Sequence, residues 1–320
     1  MSDDWGSCVE REIVMPTTLA GQRFDAAVHH VWPEFSRGRL QKWIKAGAIT
    51  ANDRPIQNKT TVRGGERVRL LAELTPEQNW SPQAAELDVR FEDDDFLIVN
   101  KSAGVVVHPA PGHAENTLVN ALLYHAPQLA HLPRAGIIHR LDKETTGLLV
   151  VAKSLMAHAA LVEALQARRI KRAYLALVWG LVTGSNTVNK PIGRHPRVRT
   201  KMAVVDSGKP AVTHFQIKQR FAQHTLLDVQ LETGRTHQIR VHLASMGLPI
   251  VGDPVYGGRQ RVVAGASFLV RERVAAFRRQ ALHATALSLA HPRSGETVCV
   301  EAPIPEDFRA LLNALSETTA

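Results

Sequence analysis

At 320 residues the chain exceeds a typical domain of roughly 100–150 residues, so a large core plus a further module is expected. A hydrophobic share of 44% and a charged share of 22% exclude a disordered or fibrous chain, and no stretch approaches the roughly 18 apolar residues of a membrane span. Lys and Arg number 39 against 30 Asp and Glu, giving +9 and a pI near 9.9, a field that attracts polyanions and makes nucleic acid the leading partner class.

The two cysteines, Cys8 and Cys299, form no Cys-x-x-Cys pair, so neither a disulfide framework nor a thiolate zinc site is suggested. The start, Met1-Ser2-Asp3-Asp4-Trp5, lacks a basic head followed by an apolar run, and a cytoplasmic protein is expected.

In chain order, residues 1–19 read as an N-terminal extension. Phe24, Ala27, Val28 and Val31 recur at i, i+3, i+4, i+7, which predicts a short amphipathic helix ended by Trp32-Pro33. Ser36 can cap a second helix, on which Leu40, Trp43 and Ile44 share one arc while Arg39, Lys42 and Lys45 occupy a neighbouring one. One face packs and the other is cationic. Ala48-Ile49-Thr50, the turn at Asn52-Asp53, and Arg67-Val68-Arg69-Leu70 after Gly64-Gly65 read as short strands joined by tight turns. Residues 20–75 hold ten Lys or Arg against five Asp or Glu, so +5 of the net +9 sits in this module. With two prolines and no hydrophobic period, residues 76–86 read as a linker to a larger domain, residues 87–320.

In that domain Ile137-Ile138 opens as an apolar strand, turns polar at His139-Arg140-Leu141-Asp142, and leads into the buried strand Leu148–Ala152. Ser154 caps a helix through about Gln166, and Ala173–Val178 is a further strand with Tyr174 at its start. Leu227, Val229 and Leu231 alternate with polar residues as a half-buried strand. Thr236 can cap the helix after it, which Gly247 and Pro249 stop, so Arg235 falls on a strand-to-helix junction. Strands joined in several ways, with few regular βαβ spacings, favour an α+β domain around a mostly antiparallel sheet. No glycine-rich phosphate loop is present. The histidine pairs His108/His113 and His237/His242 have the wrong spacing for one helical face, so no metal or other cofactor is expected.

Residues 20–75 resemble the S4 RNA-binding domain, in the order helix, Ser-Arg-x-Arg-Leu helix, then the Gly-Ala-Ile-Thr-Ala-Asn-Asp strand and turn. Its cationic face, with Arg37, Arg39, Lys42 and Lys45, would hold RNA through phosphates. The run His139–Gly147 resembles the catalytic motif of the RluA family of pseudouridine synthases, His-Arg-Leu-Asp-x-x-Thr-Thr-Gly. Asn100–Pro109, Lys171–Tyr174, Thr233–His242, Lys209–Phe215, Val251–Gly258 and Ala302–Pro305 extend the resemblance over residues 20–310 and point to its branch acting on large-subunit ribosomal RNA. Two local departures, at Ser102 and at Val188–Pro191, touch none of the implied site residues.

That resemblance implies a catalytic domain with a mixed, largely antiparallel sheet, acting as a monomer on 23S rRNA or a large-subunit precursor, at the helix 69 stem-loop. It implies Asp142 as the nucleophile or as the carboxylate that stabilises a cation-like sugar, Arg235 as the guanidinium pairing with it, and Tyr174 as the ring under the target base. Arg140 would fill the stack vacated by the flipped base, with His139 beside it among the RNA contacts. Two other readings stand against it. The basic module alone would suit a non-catalytic ribosome-binding protein, and a glycosidase or other hydrolase would want a second carboxylate, for which Glu144 is nearest.

Overall fold

The Ser36 side chain accepts a hydrogen bond from Arg39 N at 3.2 Å, and the two helices expected near the N-terminus follow: α1 (Phe24–Val31) and α2 (Arg37–Lys45). They lie on a four-stranded antiparallel sheet of β1 (Cys8–Val14), β2 (Ile49–Ala51), β3 (Arg54–Pro55) and β4 (Arg67–Glu73), in the order β1-β4-β2-β3. Asn52 and Asp53 carry φ of 50° and 60°, as a two-residue hairpin turn between β2 and β3 requires. Phe24, Val28, Leu40, Ile44, Ile49, Val68 and Leu70 fill a core belonging to this unit. Of the extension expected over residues 1–19, the described part from residue 8 onward does not stand outside it. β1 pairs with β4 along its whole length, from Cys8 opposite Glu73 to Val14 opposite Arg67, because β4 would otherwise expose a row of unpaired backbone groups.

The computed structural model describes residues 8–75, 80–109, 115–258, 265 and 267–317, leaving aside the Leu269 side chain, so Met1–Trp5, the first four linker residues (76–79) and His113 lie outside the described residues. The later linker residues form no regular element but are tied down: Gln83 N donates to Asn120 O at 3.0 Å, and Asn120 Nδ2 to Ser81 O at 2.7 Å.

Beyond them come β5 (Val89–Glu92), β6 (Phe96–Lys101), α3 (Leu118–His125), β7 (Thr146–Ala152), α4 (Leu155–Gln166), β8 (Lys171–Trp179) and β9 (Asn186–Asn189). The chain continues through β10 (Ile192–Arg194), β11 (Met202–Val204), β12 (Val212–Arg220), β13 (His224–Leu231), α5 (Gln238–Ser245), α6 (Phe268–Ala276), β14 (Leu282–Ala290), β15 (Thr297–Glu301) and α7 (Glu306–Glu317). A nine-stranded sheet runs β5-β6-β7-β14-β8-β13-β12-β9, with β15 also on β14, and only the β7–β14 pair is parallel; β10 and β11 form a separate ladder. This is the expected α+β architecture with a mixed, mostly antiparallel sheet.

The apolar runs 96–99 and 148–152 are continuous because both faces of the sheet are covered. Leu97 and Val99 join the core beneath α3, while Phe96 and Ile98 pack with Ala157 and Leu161 of α4. Ser154 caps α4 as expected, accepting from Ala157 N at 3.1 Å. Alternating burial on β13 holds only from Asp228 onward, since Leu226 and Leu227 are both buried. Ile137 and Ile138 are not a strand. Arg134, Ala135 and Gly136 turn the chain with φ of 54°, 51° and 76°, leaving Ile137 a single bridge to Val151.

Several histidines are enclosed by this packing. Burial pushes His108, His158, His224 and His283 down to about 4 and His139 to about 3, so the folded state holds them neutral. Because their folded values lie below the ordinary 6.5, the unfolded chain takes up more protons as the pH drops below 6.5, and stability falls from there toward pH 4. Urea midpoints are expected to drop between about pH 7 and pH 5, above the range in which ordinary carboxylates protonate; a flat profile there would contradict neutral burial.

Candidate active site

The polar loop between Ile137 and β7 is pinned from several sides. Leu141 is buried, and Thr145 N donates to Asp142 O at 3.0 Å to close a turn. Lys101 Nζ donates to Lys143 O at 2.9 Å and to the carbonyls of Ser102 and Val105, while Gln280 Nε2 donates to Thr145 Oγ1 at 3.0 Å. Burial lowers Lys101 to about 7 despite the nearby charges of Glu144 and Asp142. Gly147 ends the loop at φ 112°, and a Cβ there would lie 2.2 Å from Ala284 O. Only glycine lets β7 approach β14 this closely.

The loop presents Asp142 with its side chain 18% exposed, Oδ2 accepting from Arg240 Nη1 at 2.9 Å and Oδ1 lying 3.9 Å from His237 Nε2. The guanidinium partner is therefore Arg240, not the expected Arg235. Arg235 is exposed and donates through Nε to Pro210 O at 3.1 Å. The cause lies in how α5 begins. Its N-cap is His237, at φ 56°, rather than Thr236, and the Gln238 side chain accepts from Arg235 N and Thr233 Oγ1 while donating to Val212 O and Thr213 Oγ1. That clamp leaves Arg235 at the rim and sets Arg240, one turn further on, against the loop. Both arginines stand in the one stretch Thr233–His242, and the pattern does not say which faces inward.

Arg240 is held by a second carboxylate. Its Nε and Nη2 donate to Asp253 at 2.8 and 2.9 Å, Tyr256 lies under it with the ring centroid 5.0 Å away, and Asp253 also accepts from Val255 N and Tyr256 N. Burial opposes charge on Asp253, but Arg240 and these backbone donors outweigh it and hold the carboxyl below its ordinary range. Burial likewise opposes charge on Arg240, and the two carboxylates more than reverse it. Asp253 had no assigned role in the sequence; a Gly-Asp-Pro turn with no cation of its own nearby was the signal available.

Tyr174, on β8 between Val229 of β13 and Ala284 of β14, is 5% exposed, with its phenol raised by burial and, less, by the charge of Asp142. A cavity of about 460 Å³ is lined by Asp142, Tyr174, Arg240, Arg140, Arg235 and their neighbours, so the structure gathers Asp142 and Tyr174 with Arg240 and leaves Arg140 exposed. His139 also lines it but is only 7% exposed and neutral, its Nε2 accepting from Val150 N at 3.2 Å, so it braces the loop. Two of the four expected basic contacts also engage groups of the protein itself. Arg37 pairs with buried Asp25 at 3.0 Å, and Arg39 is buried, donating to His131 O at 2.8 Å and Thr75 O at 3.4 Å. Lys42 and Lys45 are exposed.

The carboxylates lining the cavity are Asp142 and Glu232, and Glu232 is engaged by Arg168 and His214. Glu144 does not line it, so the hydrolase reading lacks its acid. His242 spends one ring nitrogen on Thr213 Oγ1 and the other on Lys190 O, both at 2.9 Å.

Residues 95–245, which carry Asp142, Tyr174 and Arg240, match the family model for RNA pseudouridylate synthase. The chain belongs to this family and is an RNA pseudouridine synthase, an isomerase. Within the family it is 49% identical over 310 residues to Ribosomal large subunit pseudouridine synthase D (RluD) of Xanthomonas campestris pv. campestris, covering 97% of this chain and 94% of that protein. It is 50% identical to the protein of the same name from Pseudomonas aeruginosa, covering 97% of each. Among solved structures, human RNA Pseudouridylate Synthase Domain Containing 4 aligns with a TM-score of 0.56 at 25% identity over 71% of this chain and 92% of that one, and Domain Containing 1 with 0.53 at 29% over 68% and 83%.

Neutralising Asp253 as Asp253→Asn should release Arg240 from its mount. The expected result is a fall in kcat on the order of 10²-fold with RNA affinity retained, read by single-turnover kinetics beside a binding titration. Unchanged kcat would mean that Asp142 alone orients Arg240.

Proposed function

We propose that this enzyme converts specific uridines to pseudouridine in large-subunit (23S) ribosomal RNA, at the helix 69 stem-loop, with Asp142 acting on a flipped-out nucleotide. The observation that carries the reading is the partly exposed Asp142 carboxylate held by Arg240 at 2.9 Å on the wall of a cavity that also contains Tyr174. The relatives' printed name, ribosomal large subunit pseudouridine synthase D, supports the choice of RNA.

In this mechanism the C1′–N1 bond of the uridine breaks, the uracil turns, and a C1′–C5 bond forms as the C5 proton leaves and N1 regains one. Asp142 serves as nucleophile at the sugar or as the anion stabilising its cationic character, a role for which a carboxylate must stay ionised in an enclosed site. The always-charged Arg240 sets a fixed positive charge against it, donating to Oδ2 at 2.9 Å. Tyr174 lies under the base, and Arg140 takes the base's place in the RNA stack.

Residues 8–75 act as an S4-like RNA-binding module, residues 80–86 tether it, and Lys42 and Lys45 reach phosphates. The enzyme works in the cytoplasm as a monomer and needs no cofactor.

Asp142→Asn should abolish tritium release from C5-labelled 23S rRNA transcript, a loss on the order of 10⁴-fold or more, while RNA binding persists. Activity surviving in this variant, or no release by the wild type, would end the proposal. Lys42→Ala with Lys45→Ala should weaken binding and flatten the dependence of log K on log salt by about 0.7–0.9 for each phosphate no longer neutralised, with kcat unchanged at saturating RNA. An unchanged slope would remove these lysines from the interface.

A further inference from the structure

Arg172 is a buried cation that nothing described above uses. It is 6% exposed, it lines the same cavity as Asp142, and its Nε is enclosed without a hydrogen-bond partner. Among the described residues no carboxylate lies within ion-pairing distance of it, and no carbonyl or hydroxyl accepts from it. The other buried arginines have partners: Arg240 has Asp142 and Asp253, Arg279 has Asp307, and Arg39 donates to the carbonyls of His131 and Thr75. A guanidinium cannot shed its charge on burial, so an enclosed arginine lacking an anion is costly to the fold and marks a place where an anion is brought from outside.

Its position says which anion. Arg172 and Tyr174 are two residues apart on β8 and share the buried face of the strand, about 7 Å apart along it. Gly234, just past the end of the neighbouring strand β13, comes so close that a Cβ there would lie 2.9 Å from Arg172 Nη1, so glycine leaves the guanidinium uncovered by a side chain. Asp142 is already engaged by Arg240. A nucleotide whose base lies over Tyr174 and whose C1′ faces Asp142 carries its own phosphodiester groups a similar short distance away.

We propose that Arg172, seated against Gly234, is a phosphate subsite that binds one phosphodiester adjoining the flipped uridine. The proposal rests on the reading that Asp142 acts on such a nucleotide. It gives the site a means of holding the extruded nucleotide by its backbone, independent of the base, and so of coupling extrusion to alignment of C1′. Arg168 does not share this task, being paired with Glu232.

The test uses the full-length enzyme and an rRNA fragment that the wild type modifies, prepared with a single uncharged methylphosphonate linkage on the 5′ or the 3′ side of the target uridine. One of these two substrates should lower wild-type kcat/KM by about 10- to 100-fold, the worth of one charge-assisted hydrogen bond. Arg172→Gln should lose a similar factor on the natural fragment yet lose nothing more on that modified one, and Arg172→Lys should recover part of the loss. Gly234→Ala, which displaces the guanidinium without removing it, should show the same insensitivity in weaker form and carries the test if Arg172→Gln does not fold. Equal loss from the neutral linkage in wild type and variants, or Arg172→Gln as active as wild type, would overturn the subsite. An active Asp142→Asn would instead overturn the underlying reading, so the two failures are distinguishable.

Discussion

Arg240 stands between two carboxylates, Asp142 at 2.9 Å and Asp253 at 2.8 and 2.9 Å, and this shared guanidinium is what the site depends on. Asp253 is fully enclosed and braced by two backbone N–H groups, so its position is set by the turn after α5. Arg240 carries that position 13 residues back to the helix and 98 residues back to the loop of Asp142. Taking away Arg240 would leave two carboxylates uncompensated, and taking away either carboxylate would free the guanidinium to shift toward the other, so the three groups form one unit and their individual contributions do not add.

The fold brings this unit together by fixing two segments far apart in the chain. β7 and β14, the one parallel pair in the sheet, close on each other at Gly147 and hold the end of the Asp142 loop, while Lys101 and Gln280 hold its carbonyl and hydroxyl groups. On the other side Gln238 fastens the junction between β13 and α5 to β12, so the first turn of α5 meets the loop at a fixed rotation. Tyr174 and Arg172 enter from β8 between these two walls. Tyr174 and Arg172 are thus mounted on a strand, Arg240 on the first turns of a helix and Asp142 on a loop tied down by its neighbours, which limits the motion that would spoil alignment.

Charge in the N-terminal unit is distributed differently from its totals. Arg23 and Arg37 serve Asp25, Arg67 serves Asp53, Arg69 serves Glu10, and Arg39 ties α2 to the backbone carbonyl of Thr75 and to that of His131 in the larger unit. A net excess of cations leaves some exposed, but the helix positions that looked alike in sequence divide into structural and solvent-facing residues according to what packs beside them.

Local pattern was enough for α1, for the Ser36 and Ser154 caps, for the hairpin at Asn52-Asp53 and for the buried strands, because these depend on neighbours within a few residues. The loop carrying Asp142 was legible from its motif. What the sequence did not determine was which arginine meets that carboxylate, since Arg235 and Arg240 sit in one motif and the choice turns on a helix start displaced by one residue, at His237, and on a Gln238 clamp to β12. Nor did it determine the part of Asp253, the inward turn of His139 and Arg39, the inclusion of residues 8–14 in the N-terminal sheet, or the unmatched charge of Arg172. All of these depend on pairings between segments distant in the chain. Tertiary packing alone decides whether a buried charge has a partner, because a side chain's electrostatic environment comes mainly from residues that are not its neighbours in sequence.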